Sequence, residues 1–201
     1  MDNTVGRLKS LLPTHQFDVI IGSLLGDSSL ECRSSGIRHP ITARFRVHHG
    51  EKQKEYVFWK YEMVKDLVST KPKRVEWKNE IAWYFHTKTL RELGIIYPFF
   101  YENKIKIIPI DLLKKTINSR ILAVWFMDDG SNTNKSFTLN THCFSIQEQN
   151  EIQDLLKESF DISTTIIKDR SKYKIRIGRT EYEKFIEIVK PHIIPTMTYK
   201  I

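Results

Sequence analysis

Two apolar runs in the chain close on an acid. Residues 121–130 read ILAVWFMDDG, seven apolar residues followed by two aspartates and a glycine. A helix that is apolar on nearly every side is a buried one. This one ends in Asp128 and Asp129, where the helix dipole is already negative, so a positive group is expected beside them. Gly130 is the expected stop, in the left-handed conformation that glycine allows. Residues 19–28, VIIGSLLGDS, repeat the pattern with a single acid, Asp27. Gly22 and Gly26 lie one helical turn apart and form a smooth stripe for the close approach of another backbone. That contact offsets roughly 1 kcal/mol of helix propensity lost at each glycine. Packed side by side, the two helices bring Asp27 and Asp129 together at the end of their seam.

The remaining pattern comes in two rounds. In the first, residues 1–18 lead in, with Pro13-Thr14 opening the apolar helix. Residues 28–33 and 41–48 read as strands around the turn-prone SSGIRHP. In TARFRVHH, Arg44, Arg46 and His48 share one face while Phe45 and Val47 share the other. Residues 52–68 carry a helical period with Tyr56, Trp59, Met63 and Leu67 on its stripe. KPKRVEWKNE and IAWYFHT read as a third and a fourth strand, with Arg74 and Lys78 on one side. A short helix at 89–97 follows, and KIKIIP, 104–109, closes the half.

The second round begins with a connecting helix at 111–117 and the apolar helix at 121–129. Residues 136–142 alternate, so that Ser136, Thr138, Asn140 and His142 point one way. Residues 146–160 form a helix with the core stripe Ile152, Leu155, Leu156 and Phe160. Residues 162–168 and 173–178 make a hairpin around DRSK, and 181–189 is a helix. The expected fold is α+β, an αββαββα unit given twice in halves 1–110 and 111–201, related by a pseudo-twofold axis.

Charge changes this picture. The net charge is +8 and the pI about 9.4, which favours an acidic partner, nucleic acid first. Apolar residues make up 40% and charged residues 28%, enough for a core, and no apolar run approaches a membrane span. The N-terminus shows no signal-peptide pattern, which leaves an organelle-encoded and a cytoplasmic protein equally open. Cys32 and Cys143 lie at no metal-ligand spacing, and His48-His49 has no second cluster for zinc. Phosphate-loop, dinucleotide and nucleophile-elbow patterns are missing. Trp59, Trp77, Trp83 and Trp125 read as packing.

Residues 20–28 and 122–130 resemble the nine-residue signature of the LAGLIDADG homing endonucleases, with the eighth-position acid at Asp27 and Asp129, 102 residues apart. WFMDDG, KSFTLNTHCFS and the tail KPHIIPTMTYKI are similar to the single-chain, two-motif enzymes encoded by mitochondrial introns of yeast. The first signature departs by Ser28 in the glycine position, and neither signature loses its acid. The resemblance implies two antiparallel four-stranded sheets forming a saddle on duplex DNA. It also implies a monomer that cuts a long asymmetric site and leaves short 3′ overhangs. The cofactor is then Mg²⁺, two or three ions, with Mn²⁺ able to substitute and Ca²⁺ binding without supporting cleavage. Asp27 and Asp129 supply the metal ligands, with the backbone of Gly26 and of Asp128 as further candidates. Lys106 and Lys200 match the family's basic residues near the hydrolytic water, one to each active site. The chemistry agrees, because divalent cations held by hard oxygens relieve the repulsion between a nucleophile and a phosphodiester.

For DNA contact three alternating faces stand out: Arg44, Arg46 and His48; Ser136, Thr138, Asn140 and His142; Lys172, Lys174 and Arg176. Two-stranded ribbons fit the major groove, and side chains two apart address successive bases or phosphates. Arg33, Lys73, Arg74 and Lys78 join them. Any one-sided sheet also alternates polar outward, so the pattern by itself fits a solvated face. Two rival functions on the same scaffold are an intron RNA maturase and a catalytically silent DNA-binding regulator.

Overall fold

In the computed structural model, which describes residues 6, 8–32 and 42–201, the first apolar run is the helix α1 (Thr14–Leu25). Pro13, with its φ of −51°, leads into it, and ten of its twelve residues are buried. The chain divides into two units, Met1–Tyr101 and Glu102–Ile201. Among the described residues no helix is long and apolar enough to cross a membrane.

In the first unit, α1 is followed by β1 (Ser29–Glu31) and β2 (Arg44–Gly50). Arg33 and the turn SSGIRHP lie outside the described residues. β2 alternates as expected: Phe45, Val47 and His49 are buried, Arg46 and His48 exposed. The helix α2 (Lys54–Val64) covers the buried side, then β3 (Lys73–Trp77) and β4 (Glu80–His86) complete an antiparallel sheet of order β1-β2-β4-β3. The helix α3 (Arg91–Phe100) ends the unit.

Three expectations for this unit need correction. The buried side of α2 is Tyr56, Val57, Lys60 and Val64, while Trp59, Met63 and Leu67 are half-buried. The helix is rotated because Lys60 finds partners inside, and a stripe drawn from apolar residues alone passes over a lysine. Arg74 and Lys78 do not share a strand face. Lys78 and Asn79, with φ of 47° and 66°, form the two-residue turn between β3 and β4. Lys73 is opposite Tyr84, which is opposite His48, whereas Arg74 is opposite Trp83 and so on the face of buried His49. Trp77, at the end of β3, is 74% exposed and packs no core.

A tight turn through Asn103 and Lys104 joins β5 (Tyr101–Glu102) to β6 (Ile105–Lys106). The second unit then runs α4 (Ile110–Thr116), α5 (Ser119–Asp129), β7 (Gly130–Asn132), β8 (Phe137–Leu139), α6 (Ile146–Phe160), β9 (Thr164–Asp169), β10 (Lys172–Ile177) and α7 (Tyr182–Val189). Its sheet has the order β7-β8-β10-β9, antiparallel throughout, the same succession as the first. The fold is α+β with two antiparallel four-stranded sheets, as expected.

Local chemistry sets the helix starts. Asn118 Oδ1 accepts from the Ile121 N–H at 2.9 Å and caps α5. Ser145 and Glu148 form a capping box on α6. The aromatic core of the unit is Phe126, Phe137 and Phe185, with ring centroids 4.8 to 5.3 Å apart.

Gly130 differs from expectation in an instructive way. Its φ of −84° and ψ of 153° are extended, not left-handed, and it begins β7 directly after the last helical residue. The glycine is needed for space, since a Cβ there would collide with the Phe126 ring and the Phe126 carbonyl. Gly130→Ala should therefore cost about 3 kcal/mol by overpacking. Gly178→Ala, where the nearest atom is Thr180 Oγ1 at 3.9 Å, should stay within about 0.5 kcal/mol. Urea denaturation of both variants measures this, and equal losses would remove close packing as the reason for the glycine.

Candidate functional site

The two helix ends are built differently. In the first unit the helix stops at Leu25, the Gly26 N–H donates to the Ser23 carbonyl at 3.2 Å, and Asp27 follows in the turn. Its side chain is half-exposed and lies 3.7 Å from Nδ1 of His49. His49 is buried because β2 turns it inward, and its Nε2 lies 3.3 Å from the Nζ of Lys60. Lys60 is completely buried, its ammonium 4.4 Å above the Tyr56 ring. Burying an ammonium is costly unless polar or π partners compensate, and here an imidazole and a ring face do so. Asp27, His49 and Lys60 thus stand in line. Only the first was picked from the sequence, although the alternation that exposes Arg46 and His48 already implies an inward His49.

In the second unit Asp129 occupies the last position of α5 and is half-buried, while Asp128 is buried. The Asp129 carbonyl accepts from the Asn140 N–H at 3.0 Å. The positive group anticipated from the dipole is present. Lys200, in the 3₁₀ segment Pro195–Lys200, is buried and donates to the carbonyls of Met127 at 2.5 Å and Asp128 at 2.9 Å. The Asp128 backbone oxygen, a candidate metal ligand, is therefore already held by an ammonium, and a cation there would meet a second positive charge. Lys106 is half-buried on β6. It falls in the second unit together with Asp129, and both act on the exposed Cys143. Protein packed around the sulfur pushes the Cys143 thiol up, Lys106 pulls it down, and Asp129 pushes it up again; the net is a raised value.

The basic faces are partly as expected. Arg46 and His48 share the polar face of β2 with half-buried Arg44, and Lys172, Lys174 and Arg176 alternate with buried Ile175 and Ile177 on β10. Ser136, Thr138, Asn140 and His142 do not form one strand face, because β8 covers only Phe137–Leu139. Thr138 is buried against the Ser131 hydroxyl at 2.7 Å, and the Ser136 hydroxyl donates to the Ile177 carbonyl at 3.0 Å. His142 lies in the turn beyond, 3.1 Å from Asp169. Seams between strands absorb short hydroxyls, which is why alternation overstates an exposed face where strands are only three residues long.

A family model described as the LAGLIDADG DNA endonuclease family matches residues 17–185. DNA endonuclease I-ChuI of Chlamydomonas applanata is 30% identical over 94% of this chain and 95% of its own length. The homing endonuclease I-WcaI bound to its DNA recognition sequence superposes with a TM-score of 0.85 at 30% identity, over 94% of this chain and 86% of that one. I-DmoI in complex with DNA and Mn, at 12% identity and a TM-score of 0.54 over 90% and 99%, shares the fold.

Lys200 and Lys106 differ in what they hold, and substitution separates them. Lys200→Met, which strips the ammonium from two helix carbonyls, should cost about 2 kcal/mol. Lys106→Met should cost less than about 1 kcal/mol. Thermal unfolding of the two variants in parallel reads the difference, and a Lys200 variant as stable as the parent would show that the helix end does not need its charge.

Proposed function

The chain belongs to the LAGLIDADG DNA endonuclease family and is a site-specific DNA endonuclease, and we propose that it works as a Mg²⁺-dependent monomer of the homing type, with Asp27 and Asp129 as its metal-binding acids. The observation that carries this reading is that Asp129 is the last residue of one buried apolar helix and Asp27 stands two residues past the end of the other. Carboxylates are the hard oxygen donors that Mg²⁺ takes, and the negative end of a helix favours a cation. When bound, the metal offsets the charge of the phosphate and lowers the pKa of attacking water.

The protein's own groups do the rest. His49 and Lys60 keep the Asp27 carboxylate in place at the end of α1. Lys200 holds the last turn of α5, and so the position of Asp129, through two carbonyls. To Lys106, half-buried on the strand β6 of the second unit, we assign the role of orienting water or meeting developing negative charge. The polar faces of the two sheets, led by Arg44, Arg46, Lys172, Lys174 and Arg176, contact the duplex. Each half cuts one strand of a long asymmetric target and leaves short 3′ overhangs.

Asp27→Asn and Asp129→Asn should each lower double-strand cleavage at least about 100-fold, while binding to the same duplex in Ca²⁺ changes less than about threefold. The target comes first, from sequencing the ends cut out of a randomised duplex library in Mg²⁺. Equal loss of binding and cleavage in a folded variant would count against the metal-ligand role. Retention of intron RNA with no duplex cut would move the reading to a maturase.

A further inference from the structure

At each sheet one carboxylate holds two of the basic side chains assigned above to DNA. In the first unit, Glu31 Oε2 accepts from Arg44 Nε at 2.7 Å and Nη2 at 2.5 Å, and Oε1 accepts from Arg46 Nη1 at 3.0 Å. In the second, Asp169 Oδ2 accepts from Lys174 Nζ at 2.9 Å and lies 3.1 Å from His142 Nε2. The local strand pairing is also alike, although the two acids lie at opposite edges of the shared strand order. Each acid ends an edge strand, β1 or β9, with a basic residue directly opposite it on the neighbouring strand and another two residues further along. Arg44 and Arg46 fill those positions for Glu31, Lys172 and Lys174 for Asp169. Each group also borders a cleft. Arg44 lines one of about 200 Å³ with Thr70, His86 and Lys88; His142, Asp169 and Lys172 line one of about 280 Å³.

Both acids are ionised at neutral pH. Partial burial pushes the Glu31 carboxyl up, but Arg44 and Arg46 more than reverse this and leave it below its ordinary value. Hydrogen bonds from Lys174 and His142 hold Asp169 below its ordinary value. Pairs this exposed add little to stability. Their effect is on what the face offers to a polyanion. An unrestrained arginine or lysine meets any phosphate, and such contacts carry affinity without sequence. A guanidinium held by a carboxylate keeps its remaining donors in one plane, suited to the acceptors of a guanine edge. The carboxylate repels phosphate oxygens and accepts from a base amino group such as that of cytosine.

We propose that Glu31 and Asp169 are specificity-determining residues of the DNA-binding faces, holding Arg44, Arg46, Lys174 and His142 for base edges and suppressing attachment to phosphate. This rests on the reading that those faces bind duplex DNA. The test uses the full chain, the duplex selected from the randomised library and a scrambled duplex of equal length. Binding is measured in Ca²⁺ between 50 and 200 mM salt, a span over which phosphate contacts weaken steeply. Glu31→Gln and Asp169→Asn should each bind the scrambled duplex about tenfold more tightly at low salt. Its salt dependence should steepen by about 1 to 2 in log–log slope, one unit per added phosphate contact. Discrimination between the duplexes should fall at least tenfold, with the unfolding midpoint unchanged. Arg46→Gln, a control, should weaken both duplexes. Variants that discriminate as the parent does, or that weaken both duplexes alike, overturn the proposal. Failure of the parent itself to prefer its selected duplex overturns the DNA-face reading and the proposal with it.

Discussion

The second unit depends on how a buried apolar helix can end in two acids. The dipole of α5 and the charges of Asp128 and Asp129 have the same sign, so the end is unstable until something positive meets it. Lys200 does so from more than 70 residues away in sequence, donating to two of the last carbonyls. The Asn140 N–H takes a third, that of Asp129. Gly130 lies so close to Phe126 that no side chain fits, and β7 starts at once. Asp129 is thereby fixed on both sides, by the lysine before it and by the strand after it. A residue asked to position a reacting group needs that rigidity.

The first unit reaches the same end by other means. There the acid stands beyond the helix, half-exposed, and an inward imidazole and a buried ammonium line up behind it. Lys60 has no counterpart in the apolar stripe of an ordinary amphipathic helix. The Tyr56 ring and His49 both contribute to sustaining its burial. The surroundings of Asp27 and Asp129 are therefore unlike, imidazole and lysine behind the one, lysine and thiol near the other. Equivalent topology does not make equivalent chemistry.

The basic surface follows from register more than from charge. A one-residue step separates Lys73, on the face of His48, from Arg74 on the face of His49. Several cations that look unattached in sequence are already engaged with carboxylates across a strand seam, Arg44 and Lys174 among them. A net charge of +8 says that a polyanion is welcome. Which cations reach it, and in what orientation, depends on the acids between them.

The sequence by itself determined the two buried apolar helices with an acid at or just past the end, the strand–helix succession of both rounds except the strand β7, the alternation of β2 and β10, and the need for a cation at Asp129. All are local: apolar period, dipole sign and side-chain alternation are written within a dozen residues. It also carried the family, because two copies of a nine-residue signature are hard to produce by chance. What only the tertiary structure decided is every contact between residues distant in the chain. Lys200 reaches the carbonyls of α5, Lys60 turns inward to His49, and Gly130 is required by a ring four residues back instead of by its own φ. Glu31 and Asp169 capture the cations beside them. Such pairings depend on strand register and helix rotation, and those are set by how whole faces pack.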